Sequence, residues 1–415
     1  MFEGIRRLSD DKQKDITGNL LLFSLYSLET AYLYSACSAT LIIAGIIGML
    51  TYLYVRENNG AYLRLMIIIA VGVIALVTIN RLFVLNCSWR GCLRISFISL
   101  PIAYLLCDVR INRYAALSFF YVVFLYTVIM IALADPAELY RIFAASSRNY
   151  ISVLLIACLF PYYLACERDR AEVSIFPALL SFPVSIYVQS RGGMLASGIL
   201  VAFSFIWELY LGIGKGAFKS KKKLLRFIMA ATLLSGIILF TFSHSSDSAG
   251  PVDLTEPADS ADSVDSVDYL SRFYQPEEYP ITRSDMWKEY ITVTGSSIKH
   301  VLLGPPLTAC PLILKEAYNI HNSYFMTHSY MGLAGFLAVL AGGIGYLVLC
   351  IKKNRFHLLF LSISFLFRAM TDYLFPMLFC DGIILLMIMT VGMEMMRAGD
   401  KCAERKNLNH RDSRV

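Results

Sequence analysis

The sequence predicts an all-α polytopic membrane protein of about twelve spans with one large polar loop, and three observations predict it. Of the 415 residues, 57% are hydrophobic and only 16% are charged, whereas a soluble domain carries about a quarter charged residues. Apolar runs of the roughly 17–25 residues that cross a bilayer recur from end to end. Lysines and arginines collect in short segments between alternate runs, which is the bias of cytoplasmic loops.

The predicted spans fall at 18–34, 37–55, 63–80, 93–107, 114–133, 149–166, 173–189, 193–213, 225–243, 329–350, 356–373 and 375–396. They divide the chain into nine spans within 1–241, a large loop at 242–328, three spans within 329–396 and a basic tail at 397–415. The start, MFEGIRRLSDDKQKD, lacks the short apolar core and small-residue cleavage site of a signal peptide, so the first span is expected to stay as an anchor. Arg6, Arg7, Lys12 and Lys14 precede that span, and a run from Lys215 to Arg226 follows the eighth. Lys352, Lys353 and Arg355 follow the tenth, and Lys401, Arg405, Lys406, Arg411 and Arg414 close the chain. With twelve spans all of these lie on one side. That side is the cytoplasm, both termini included, and the large loop faces outward. The net charge of +6 is mostly this bias, and no nucleic-acid motif accompanies it.

The ten cysteines show no zinc-type spacing. Six of them, Cys37, Cys107, Cys158, Cys166, Cys350 and Cys380, lie in or beside apolar runs, where a free thiol acts as a small hydrophobe. Cys87 and Cys92 share one short outer loop, where free thiols and a disulfide are both open.

Within the large loop, SHSSDSAGPVDLTEPADSADSVDSVDYL is rich in Ser, Asp and Pro and reads as a solvated linker. Asp259, Asp262, Asp265 and Asp268 recur every third residue but lack the glycines of a calcium repeat. Between His244 and His300 eleven acidic residues face four basic ones, leaving the loop near −7. Aromatic residues return after 269. Over 283–293 the spacing predicts an amphipathic helix at the membrane surface, with Met286, Tyr290 and Ile291 on one face around Trp287. LLGPPLTACP then makes a turn.

Several cations sit on the outer side against the topological bias: Arg81, Arg90, Arg94, Arg141, Arg148 and Arg191. Arg191 lies in VQSRGGMLASG with almost no loop around it. Gly192 and Gly193 permit a tight turn there and leave room for a bulky ligand. A guanidinium matches phosphate oxygens with two donors; the competing role is an arginine snorkelling to the interface. Arg283 stands one helical turn before Trp287, which suits a phosphate or sugar contact or a plain ion pair with Glu277 or Glu278. His321 opens HNSYFMTHSYMGLAGFLAVL, where the loop ends and a span begins. A histidine is the side chain type best suited to act as an acid or base, with Asn322 and Ser323 placed to orient it or a sugar hydroxyl. His328 reads as packing. In FRAMTDYLF, Arg368 and Asp372 share one helix face, either as an internal ion pair or facing substrate. Glu29 and Glu208 are intramembrane acids with no assignable partner.

The pieces SRGG, ITRSDMWKEY, LLGPPL and HNSYFMTHSYMGLAGFL, in this order over 181–340, resemble the O-antigen ligase family of lipopolysaccharide assembly. That family lies within the wider O-antigen ligase and polymerase superfamily. SSRNYISVLLIA at 146–157 resembles an earlier family element, and Gly304-Pro305-Pro306 stands where the family has Gly-x-Gly. By this resemblance the family's essential short-loop arginine is Arg191, its large-loop arginine Arg283 and its essential histidine His321. The resemblance implies a GT-C-like fold and a glycosyltransferase at the periplasmic face of the bacterial inner membrane. Such an enzyme moves a finished O-antigen from undecaprenyl pyrophosphate to a sugar hydroxyl of the lipid A core, with inversion and with no cofactor, nucleotide sugar or metal. Arg191 and Arg283 would bind the pyrophosphate and His321 would act as base, with Arg148, Asn322, Trp287, Arg368 and Asp372 expected at the substrate. An O-antigen polymerase using the same donor is the nearest alternative. A transporter of lipid-linked oligosaccharide is the alternative from another class, and it predicts internal repeats that the sequence does not show.

Overall fold

The computed structural model describes residues 2–84, 89–134, 142–144, 149–188, 190–214, 282–315, 319–376 and 378–412. Among them every regular element is a helix. The first part holds α1 (Phe2–Ser35), α2 (Ser38–Asn58), α3 (Gly60–Phe83) and α4 (Trp89–Asp108, with a π turn at Ile95–Ser99). α5 (Arg113–Leu133), α6 (Tyr150–Asp169), α7 (Phe176–Tyr187) and α8 (Arg191–Gly214) follow. The later part holds α9 (Arg283–Gly295), α10 (Ile298–Leu303), α11 (Pro311–Lys315), α12 (Ser323–Lys352), α13 (Phe356–Thr371) and α14 (Asp381–Asp412). Contacts divide the chain into one unit of Met1–Ser204 with Arg283–Val415 and a second of Phe205–Thr282. All interactions described below belong to the first unit.

Among the described residues seven helices are long and apolar enough to cross a membrane: α2 to α6, α12 and the Asp381–Gly399 part of α14. α7, α13 and the Arg191–Trp207 part of α8 are shorter apolar helices. The protein is therefore a polytopic helical membrane protein. Each predicted span falls on a helix except 225–243, which lies outside the described residues. α1 runs on from Phe2 through a charged first half and is not among the seven. The boundary predicted at 373–375 is wider in the structure, because α13 stops at Thr371 and α14 starts only at Asp381. Pro376 falls in this gap, and proline has no N–H with which to continue a helix.

Local chemistry starts three of the helices. The side chains of Asn59, Asn112 and Asn322 accept from the first free backbone N–H groups of α3, α5 and α12. α6 forms the centre, with 94% of its membrane-length window buried, against 28%, 22% and 28% for α2, α3 and α5. Those three therefore form the lipid-facing wall and α6 the core.

α12 is broken at Gly332, whose φ of 66° and ψ of −170° are not helical. The break admits α10. A Cβ at Gly332 would lie 2.4 Å from the Leu302 carbonyl oxygen, and one at Gly304 (φ 82°) would lie 2.4 Å from that of His328. Asn80 of α3 donates its side-chain amide to the carbonyls of Ser329 (2.7 Å) and Leu303 (3.2 Å), at the interruption. Away from water such carbonyls need a protein donor. His328 adds two bonds, to the Tyr290 hydroxyl through Nδ1 and to the Val301 carbonyl through Nε2, each 2.8 Å long. It is thus the packing residue expected, and it ties α9 and α10 to α12. Gly332→Ala should lower stability by at least ~1–2 kcal/mol from backbone conformation alone. Thermal unfolding in detergent should show this loss, while Gly295→Ala, whose Cβ meets nothing within 4 Å, should show none.

Glu29, which has no partner in the sequence reading, does have one. It is 1% exposed and pairs with Arg94 of α4, whose guanidinium also lies 5.4 Å from the Tyr32 ring centroid. Arg94 is thus an internal counter-ion, a pairing that hydropathy cannot show because α1 and α4 are not sequence neighbours. The side chain of Glu208, Arg141 and Arg148 lie outside the description, and Cys92 is a buried free thiol.

Candidate functional site

The site is built on the end of α13. Arg368 Nη2 donates to Asp372 Oδ2 at 2.8 Å, and the two residues are 2% and 3% exposed. Arg368 also donates to Thr371 Oγ1 (3.1 Å) and to the carbonyl of Asn149, just before α6 (3.2 Å). Of the two roles open to this pair, the structure shows the internal one. Neither side chain is open to a ligand, because both are spent on fixing α13 to α6.

His321 and Ser323, on either side of the cap residue Asn322, meet Asp372 from the start of α12. His321 takes a left-handed backbone (φ 52°), its N–H donating to Asn319 Oδ1 at 2.8 Å. Its Nδ1 lies 3.5 Å from Asp372 Oδ1 and makes no hydrogen bond among the described residues. Nδ1 is buried while the side chain is 23% exposed, so the accessible part of the ring is the part turned away from Asp372. Asn322 caps α12, its Oδ1 accepting from the N–H of Tyr324 (3.0 Å) and of Phe325 (3.2 Å). Ser323 donates its hydroxyl to the Asp372 carbonyl (2.8 Å) and accepts from the Leu374 N–H (2.7 Å).

Asn322 is therefore a cap and not the sugar contact the sequence suggests. It is 6% exposed, and its acceptor oxygen is occupied. Asn322→Ala should cost about 1 kcal/mol, and Asn322→Ser much less, as read from thermal unfolding.

α9 brings Arg283. Its Nη1 donates to the Thr371 carbonyl at 2.6 Å. One turn on, Trp287 donates its indole N–H to the Ile320 carbonyl at 3.0 Å and sets its ring edge-on to Phe325. Trp287 thereby fixes the backbone that presents His321. The buried face of α9 is Met286 and Tyr290, with Tyr290 stacked on Phe325. Ile291, expected on that face, is 57% exposed.

α8 brings Arg191, an exposed residue at its first position. The glycines after it have a different use from the one expected. A Cβ at Gly192 would lie 2.6 Å from Thr371 Oγ1 and 2.9 Å from Arg368 Nη1, and one at Gly193 would lie 2.2 Å from Ser152 Oγ. They make room for neighbouring protein, and neither has the positive φ of a tight turn. Through them the start of α8 seats directly on the end of α13.

Arg283 and His321 are thus delivered to two adjacent residues, Thr371 and Asp372, and Gly192, the residue after Arg191, packs against Thr371. The chain matches no family model, no curated protein and no solved structure.

Electrostatics follow from this crowding. Arg283 keeps exposed surface, but its guanidinium is sunk among protein atoms. That partial burial lowers its pKa; Asp372 opposes the shift, while Arg368 and Arg191 add repulsion. The charge of Arg368 is balanced by Asp372, and Arg191 and Arg283 are both exposed residues. Among the described residues no group of three or more His, Cys, Asp or Glu side chains is placed to hold a metal ion. Chemically the arrangement offers two guanidiniums for an anion and one imidazole backed by a carboxylate. A carboxylate this near the ring stabilises a positive charge formed on it. Arg148 lies outside the described residues. Thr371, which no sequence pattern marks, is the hub because its backbone and side chain receive Arg283 and Arg368.

Proposed function

We propose that the protein is a membrane glycosyltransferase of the O-antigen ligase kind, of twelve spans and GT-C-like architecture, with both termini in the cytoplasm. It would transfer O-antigen from undecaprenyl pyrophosphate to a lipid A–core sugar at the periplasmic face of the bacterial inner membrane. The observation that carries this reading is that Arg283 and His321, from separate stretches of chain, meet at Thr371–Asp372, with Arg191 next to the glycine that packs on Thr371 and near enough to repel Arg283.

Arg191 and Arg283 bind the diphosphate and stabilise the charge that grows on it as it departs. The acceptor hydroxyl attacks the anomeric carbon from the opposite side, and the bond from that carbon to the phosphate oxygen breaks. His321 takes the hydroxyl proton on its accessible nitrogen, while the nearby Asp372 carboxylate stabilises the imidazolium. Undecaprenyl pyrophosphate leaves, and the anomeric centre is inverted. Arg368, Trp287, Asn322 and Ser323 position these groups without touching substrate.

Complementation of a ligase-null Gram-negative strain tests the reading. His321→Ala and Arg191→Ala should leave lipopolysaccharide uncapped at normal protein levels. Full-length capped product from both variants would contradict it.

A further inference from the structure

At the other end of the bundle, α1, α2 and α5 leave a cavity of about 1180 Å³ between them. α6 sets the separation. Asn149, just before it, receives Arg368, whereas Asp169 at its end lines the cavity, about 30 Å away for a 20-residue helix. The cavity walls are apolar, with Leu20 and Phe23 of α1 facing Ile43 and Ile47 of α2.

Its mouth is polar and held in place. Asn19 donates to the Arg110 carbonyl (2.9 Å) and accepts from the Asn112 N–H (2.9 Å), while Asp15 Oδ1 accepts from the Arg110 N–H (3.3 Å). These bonds clamp the link between α4 and α5 onto α1. Arg110 is neutralised by Asp169 at 3.1 Å. Arg113 donates only to the Tyr114 hydroxyl (2.6 Å), with its guanidinium 4.6 Å from that ring, and has no ion pair among the described residues. Tyr114 is 65% exposed, as befits an aromatic ring at a membrane–water interface. Among the described residues the rim therefore keeps a cation without an ion pair, Arg113, and a carboxylate, Asp15, of which one oxygen accepts the Arg110 N–H. An apolar slot under a rim balanced in charge suits an amphiphile whose head carries both signs.

We infer that this cavity binds one zwitterionic phospholipid of the surrounding bilayer, its phosphate on Arg113, its head-group ammonium on Asp15 and its acyl chains along Leu20 and Ile43. The inference does not depend on the transfer reaction proposed above. A net-anionic head is disfavoured because Asp169 already cancels Arg110.

The full chain, reconstituted in vesicles of equal phosphatidylethanolamine and phosphatidylglycerol and extracted in mild detergent, tests it by native mass spectrometry. The wild type should retain one phosphatidylethanolamine per chain. Arg113→Gln should reduce that retention about tenfold, the loss of one charge-assisted contact. Ile43→Trp, which fills the slot from a partly exposed position, should reduce it as far, and both variants should melt like the wild type. Unchanged retention in both variants overturns the site. Equal retention of the two lipids, or preference for phosphatidylglycerol, by the wild type overturns the head-group assignment.

Discussion

Asp372→Ala is expected to be the most damaging single change in the protein, lowering stability by about 3–5 kcal/mol and abolishing transfer. Among the described residues its carboxylate is the one ion-pair partner of Arg368, which is 2% exposed, so its removal leaves a buried guanidinium uncompensated. The loss should not be mistaken for the net value of the pair. Replacing both partners with apolar residues, Arg368→Met with Asp372→Leu, should restore part of the stability. It should not restore transfer, because His321 would still lack its carboxylate. Unfolding midpoints of the two single variants and the double variant give the first result, and capped lipopolysaccharide gives the second. A double variant as unstable as the sum of the singles would show that the pair is not what the buried site depends on.

His321→Asn is expected to reduce transfer by about 10²–10⁴-fold, the usual contribution of a general base, while leaving the fold intact. Asparagine is the informative replacement. Position 321 has φ of 52°, and asparagine is among the few non-glycine residues that adopt the left-handed region readily. Alanine there would add backbone strain and confuse chemistry with stability. The turnover rate should fall while the concentration of lipid-linked donor needed for half-maximal rate stays put, because the donor's diphosphate is held by the arginines. A variant with normal turnover would place the base elsewhere.

Much of this architecture was legible in the chain, and what was not follows a pattern. Hydropathy located the helices because the bilayer demands long apolar runs, and a polar-to-apolar switch marked the start of α12. Arg191 stood out because a charge at the mouth of a span is costly and so conspicuous, and His321 because it marks where the loop ends and a span begins. What periodicity cannot report is which helix faces which. Glu29 looked unpartnered until α4 supplied Arg94, and the shared helix face of Arg368 and Asp372 left an internal and a substrate-facing role both open. Gly192 and Gly193 looked like space for a ligand because the neighbours that fill it, Thr371, Arg368 and Ser152, come from distant positions. Asn322 was misread because capping and sugar binding use the same amide oxygen. α7 and α13 were drawn too long, since apolar composition continues past the point where backbone geometry ends the helix.

Transfer by the purified full-length protein tests most directly whether two guanidiniums and an imidazole act together on a lipid diphosphate. Lipid-linked O-antigen and lipid A–core would be mixed with wild type, Arg283→Ala or His321→Asn protein, without nucleotide. Capped product from the wild type, dependent on lipid A–core and reduced at least about 10²-fold in each variant, is the predicted result. Absence of product from well-folded wild type, or equal yields from all three proteins, would contradict it.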